Sequence, residues 1–185
     1  MFSRRYCVAC LAVVVTSGWV CGAGAESGTP FPAAVLNGGD GIRNGDFSKW
    51  IEERPLFWSV RAGYGQYTEC VEEDGNTFLG CAISGGSYTT YSQRVEVQGS
   101  LNGRTLRVTC RIRTRNPEAA GIVIILDNDE RLRSELHPGD DQWHDVVLEH
   151  TFDGGYSPKE FELILVAGNK PRLMTYFDDV TVSVE

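Results

Sequence analysis

Beyond residue 25 the chain has no apolar run long enough to cross a bilayer, so nothing in that part reads as a membrane span. It also lacks any stripe of helical period of useful length, and it has no internal repeat. Histidine is scarce: His137, His144 and His150 are the only three, and no Ser or Cys nucleophile context accompanies them. No Cys/His spacing matches a zinc site. Basic residues are outnumbered, 17 against 25 acidic, which makes the chain a poor partner for nucleic acid or an anionic membrane surface.

The one long apolar stretch is N-terminal. Arg4 and Arg5 precede a largely apolar run from Val8 to Val20, and Ala23-Gly24-Ala25 offers small residues for cleavage before Glu26. Residues 1–25 therefore read as a signal peptide, and the expected location is secreted or periplasmic. Cys21 invites a lipoprotein reading, but Trp19 and Val20 are poor residues to precede a lipidated cysteine. Cleavage would leave residues 26–185 with 15 basic and 25 acidic side chains, a net charge of −10. A chain of that length buries about 68–70% of its unfolded surface in one core, so a single domain is expected. Three cysteines would remain, Cys70, Cys81 and Cys110. The odd count excludes a full disulfide framework within one chain. Cys70 and Cys81 flank a turn and could bridge in an oxidising compartment, whereas Cys110 alternates with Leu106, Val108 and Ile112 as a small buried hydrophobe.

What the chain does have is short β-rich runs between turn residues. Residues 26–41, rich in Gly and Pro, read as a flexible lead-in to a folded part over 42–185. Strands are expected near 42–47, 57–61, 66–72, 77–83, 89–97, 104–114, 120–127, 143–152, 160–167 and 173–184. Asp74-Gly75, Asn102-Gly103 and Asp153-Gly154 supply residues that tolerate positive φ at the turns. This spacing predicts an all-β, antiparallel β-sandwich of jelly-roll type. Both ends of the folded part read as strands carrying polar or acidic residues, Ile42–Phe47 and Tyr176–Val182, which would tie the sandwich together. One strand is two-faced: Leu106, Val108, Cys110 and Ile112 point one way, Arg107, Arg111, Arg113 and Arg115 the other. Those arginines either pair with acids on adjacent strands or form a basic stripe facing a ligand.

Several marks recur in a familiar order. They are Asn44-Gly45-Asp46-Phe47 followed by Trp58, Tyr91-Ser92-Gln93-Arg94-Val95-Glu96-Val97, Leu106–Arg113, Gln142-Trp143-His144-Asp145-Val146 and Phe177-Asp178-Asp179-Val180-Thr181-Val182. In this the chain resembles carbohydrate-binding modules of the family 4/9/22 type, which share the galactose-binding-like jelly roll. The resemblance covers residues 42–185. It implies a secreted, non-catalytic module binding a glycan on a concave sheet face or loop rim. Tyr88 and Tyr91 would stack on sugar, with Tyr64, Gln93, Arg111 and Arg113 beside them, and Trp58 and Trp143 would pack the core. The resemblance further implies a structural calcium ion held by the Gly45 carbonyl, the Asp74 carboxylate, the Thr77 carbonyl and Asp178, although Ser48 stands where the family usually supplies a glutamate. Two other readings remain: a structural or protein-interaction jelly roll without a sugar site, and a polysaccharide lyase. The second draws on Arg133-Ser134-Glu135-Leu136 but lacks the companion histidine and tyrosine motifs.

Overall fold

A computed structural model describes residues 32–37, 41–61, 66–83, 88–168 and 172–185. Among these the chain forms β1 (Ala34–Leu36), β2 (Trp50–Ile51), β3 (Arg54–Pro55), β4 (Ser59–Arg61), β5 (Gln66–Glu73), β6 (Asn76–Ile83), β7 (Thr89–Val97), β8 (Thr105–Thr114), β9 (Gly121–Leu126), β10 (Arg131–Arg133), β11 (His144–Thr151), β12 (Glu160–Ala167) and β13 (Thr175–Val184), and no helix. One sheet runs β1-β7-β12-β9-β10, with β4 also paired to β7. The second runs β11-β8-β13-β6-β5, and β2 with β3 makes a small hairpin. The expected all-β sandwich is what forms.

Alternation explains which faces meet. In β12, Phe161, Leu163, Leu165 and Ala167 are buried while the residues between them are not. In β8 the buried set is Leu106, Val108, Cys110, Ile112 and Thr114. These two rows, with Val95 and Tyr91 of β7 and Phe177, Val180 and Val182 of β13, form one continuous core between the sheets. Burying such a set at roughly 25 cal/mol per Å² is the main term opposing chain entropy. The outer faces carry the side chains of opposite phase, such as Arg107, Arg111 and Arg113 on β8 and Glu162, Ile164 and Val166 on β12.

The β5–β6 hairpin closes as expected, with Asp74 at φ 53° and Gly75 at φ 81° making a turn of the hand that fits strand twist. The short strands β2, β3 and β10 have no counterpart among the expected strands, and two further stretches differ. Residues 34–36 lie inside the expected lead-in, yet they form a strand parallel to β7, Ala34 opposite Val95 and Leu36 opposite Val97, with Ala34 and Leu36 buried. Residues 42–47 are not a strand. Asn44 at φ 54° and Phe47 at φ 48° turn the chain instead, and the Asn44 amide brackets the loop. Its Nδ2 donates to the Lys49 and Leu56 carbonyls at 2.9 and 3.0 Å, and its Oδ1 accepts from the Lys49 N–H at 2.9 Å. Trp58 closes the bracket from below, donating from Nε1 to the Asn44 carbonyl at 3.0 Å and packing on Phe47 at 5.3 Å.

All three described cysteines are free thiols. Cys70 sits opposite Leu79 and Cys81 opposite Thr68, so the register gives neither cysteine the other as its direct cross-strand neighbour. Cys81 and Cys110 are buried, and burial pushes both thiols well above their ordinary range.

Candidate functional site

The outer face of the second sheet collects the chemistry. The register aligns Arg113 with Tyr176, Tyr176 with Gly80, and Gly80 with Glu69, a row crossing β8, β13, β6 and β5. Trp143 immediately precedes β11 and extends this row at its far end. Arg113 stands at the centre of the aromatic groups, its guanidinium 4.9 Å from the Trp143 ring, 4.6 Å from Tyr176 and 5.5 Å from Phe78. Phe78 meets Trp143 and Tyr176 edge to face at 5.2 and 5.6 Å, and Arg111 lies 5.1 Å from Trp143. Phe78 is buried under the others, while Trp143 and Tyr176 remain partly exposed. Cation–π and edge-to-face contacts of this kind fix ring orientation.

The arginine stripe is largely neutralised by acids on neighbouring strands. Arg107 pairs with Glu149, Arg111 with Asp179 at 3.1 Å, Arg113 with Glu73 at 3.2 Å and Arg115 with Asp141 at 2.7 Å. Such solvent-facing pairs contribute about 0–1 kcal/mol each, so they order the face more than they stabilise it. Thr109 and Thr181 add a hydroxyl pair at 2.7 Å between the arginines. At the end of the row lies a cleft of about 430 Å³ lined by Arg113, Arg115, Asp141, Arg172, Met174 and Tyr176.

Of the expected ligand-binding residues, Arg111 and Arg113 lie on this face, whereas Tyr91, Gln93 and Tyr88 belong to β7 or lead into it. Tyr91 is completely buried and points into the core in phase with Val95, its hydroxyl 2.7 Å from that of Thr68. A ring so enclosed cannot stack on a sugar. Gln93 is also buried, its Nε2 donating to the Arg43 carbonyl at 2.6 Å and its Oε1 accepting from the Arg43 N–H at 3.2 Å. That is a structural clamp on the N-terminal loop. Tyr88 is 52% exposed but leads into β7, in the other sheet. Tyr64 lies outside the described residues.

Trp58 is core as expected, but Trp143 is not, and its companions Tyr176 and Phe78 are not among the expected ligand-binding residues. The signal that marks them is phase. Val146 and Leu148 face inward along β11, which puts Trp143 on the opposite side, and Tyr176 precedes inward-facing Phe177.

Two of the four groups proposed for calcium, Asp178 and the Gly45 carbonyl, already have hydrogen-bond partners. The Asp178 carboxylate is buried, with Oδ2 accepting from Asn76 Nδ2 at 2.6 Å and Oδ1 from the Asp179 N–H at 2.8 Å. Burial raises its carboxyl above the ordinary aspartate value. The Gly45 carbonyl accepts from the Val180 N–H at 3.0 Å. Asp74 is exposed in its turn, and Ser48 donates its hydroxyl to Asp46 at 3.1 Å. A calcium ion, which takes six to eight oxygens, would compete here with the Asn76 amide for the Asp178 carboxylate.

A different group could hold a metal ion: His137, Asp140 and His144, whose ligand atoms lie within 4.8 Å of one another. Two imidazoles make it unsuited to calcium. Both nitrogens of buried His137 are occupied, however. Nδ1 accepts from the Gly139 N–H at 2.9 Å, which leaves the proton on Nε2 to face the Gln142 carbonyl at 3.0 Å. That leaves His144 and Asp140, already joined at 2.9 Å, as the free-standing pair.

No protein-family model and no curated protein matches the sequence. Solved structures do. A family 4 carbohydrate-binding module superposes with TM-score 0.56 at 18% identity, over 78% of this chain and 99% of that one. A family 61 module in complex with β-1,4-galactotriose gives TM-score 0.52 at 13% identity, over 78% and 97%. A cyclase from Fischerella sp. TAU, in complex with 4-(1H-indol-3-yl)butan-2-one, gives 0.57 at 11%, over 78% and 96%. The chain thus has the jelly-roll fold of carbohydrate-binding modules, as its sequence marks imply. At these identities the likeness is one of fold, and the same fold also carries an enzyme.

Proposed function

We propose that this chain is a secreted, non-catalytic glycan-binding module whose sugar platform is Trp143 with Tyr176, on the outer face of the five-stranded sheet. The observation that carries the reading is the partly exposed pair of rings held in place around Arg113. Rigid aromatic faces with hydrogen-bonding side chains beside them suit the C–H surface and hydroxyls of a pyranose. Arg111, Thr109 and Thr181 supply those polar groups on the same face. The lyase reading finds little to use: Glu135 is exposed, and His137 spends both nitrogens on backbone groups.

Affinity gels containing β-1,4-galactan, xylan or mixed-linkage glucan test the proposal. At least one polysaccharide is expected to retard the protein, and Trp143→Ala to weaken binding at least tenfold, about 1.4 kcal/mol, while Trp143→Phe keeps part of it. Retardation by none of a broad panel would sink the reading. It would favour a structural or protein-interaction jelly roll, which the ion pairs along the arginine stripe also suit.

In the same reading the last strand is anchored by the Asn76–Asp178 contact where the resemblance placed calcium. The melting temperature is expected to be the same with and without EDTA, and to fall for Asp178→Ala. A lower melting temperature in chelator alone would reinstate a bound cation, because a ligand of the native state stabilises it.

A further inference from the structure

The cleft beside the ring cluster has a charge that the rest of the chain does not. In a protein with 17 basic and 25 acidic residues, Arg113, Arg115 and Arg172 line it against a single acid, Asp141. Arg113 is immobilised by three rings and Glu73, its side chain only 22% exposed. Arg115 is 73% exposed and pairs with Asp141 in open solvent, an arrangement that contributes little and exchanges readily for another anion. Arg172 has no acidic partner among the described residues, yet its backbone is tied down, its N–H donating to the Ile83 carbonyl at 2.8 Å. Tyr176 and Met174 provide apolar surface on the same lining.

From this geometry we infer that the ligand is an acidic glycan, a polysaccharide whose uronate carboxylate enters the arginine cleft while its sugar ring lies toward Tyr176. This rests on the glycan-binding reading and narrows it. The planar guanidinium presents two parallel N–H groups that match a carboxylate, and two such forks, on Arg115 and Arg172, border the open part of the cleft. A bare inorganic anion would leave Tyr176 and Met174 unused, and a neutral sugar would make no use of the guanidinium charge of Arg172. The overall negative charge of the protein opposes indiscriminate capture of polyanions, so recognition depends on this one cleft.

Affinity electrophoresis with polygalacturonate, its fully methyl-esterified form and polyglutamate tests the inference. Polygalacturonate is expected to bind at least tenfold tighter than the ester, to weaken with added salt, and to outcompete polyglutamate. In the double variant Arg115→Ala/Arg172→Ala the preference for the free acid over the ester is expected to vanish with the melting temperature retained. Equal binding of acid and ester by the unaltered protein, equal binding of polyglutamate, or a preference that survives the double variant would each overturn it. Binding of neutral polysaccharides without any preference for the acid would end this inference alone. Binding of no polysaccharide would end the broader reading with it.

Discussion

Gly45→Ala is expected to be among the most destabilising single changes in the domain. A Cβ at Gly45 would fall well inside van der Waals contact of the Val180 carbonyl oxygen and 3.1 Å from its carbonyl carbon. The obstacle is backbone, so no rotamer can relieve it. Val180 is held in the same contact by its N–H, which donates to the Gly45 carbonyl, and Thr181 next to it is paired with Thr109 of β8. The cost is expected to exceed about 4 kcal/mol, the range reached only when a specific mechanism is broken. For a chain of this size that is a fall of about 10 °C or more in melting temperature, at 2–4 °C per kcal/mol. Gly75→Ala provides the contrast. Nothing lies within 4 Å of the place a methyl group would take there, and φ of 81° is the only penalty, about 1 kcal/mol. If the two variants melt alike, Gly45 is not a close-approach residue.

Trp58→Ala is the second large effect, about 3–5 kcal/mol for emptying an aromatic site in a packed core. Trp58 is 1% exposed, packs on Phe47, and holds the Asn44 carbonyl at the centre of the loop bracket. Trp58→Phe separates the two contributions. It retains most of the ring contact but removes one of the two donors to the Asn44 carbonyl, the Phe47 N–H remaining at 3.3 Å, a loss of about 0.5–1.5 kcal/mol. Denaturant melts should therefore rank unaltered protein above Trp58→Phe above Trp58→Ala. Equal loss in the two variants would mean that the hydrogen bond, and not the packing, is what the indole supplies.

Much of the sandwich is legible in the sequence because each long strand carries its own alternation. β8 and β12 can be placed, and their inward faces named, from period two alone. The N-terminal loop is not legible in the same way. Ile42, Asn44 and Phe47 sit in a run of strand-like composition, but the conformation is decided by the Asn44 amide, whose partners at Lys49 and Leu56 are set by later chain. β1 is hidden for a related reason. Three residues, Ala34-Val35-Leu36, carry almost no local signal, and their partner is β7 in a parallel pairing that no turn announces. The site is legible in part. The arginine stripe can be seen, while Tyr91 stands out by residue type yet shares the inward phase of Val95. The platform rings are harder to find because family habit assigns Trp143 to packing, whereas its phase relative to Val146 and Leu148 points outward.

The contact between Asn76 and Asp178 joins positions 102 residues apart. β13 lies between β8 and β6 and is the hydrogen-bonded link between those two strands in their sheet. During synthesis the chain therefore cannot assemble the five-stranded sheet progressively. β5 with β6 can close early as a hairpin, but Arg113 has no Tyr176, and Gly45 no Val180, until β13 has been made. Folding of such a chain is a late, single event dominated by distant pairings, on the millisecond-to-second scale of all-β domains.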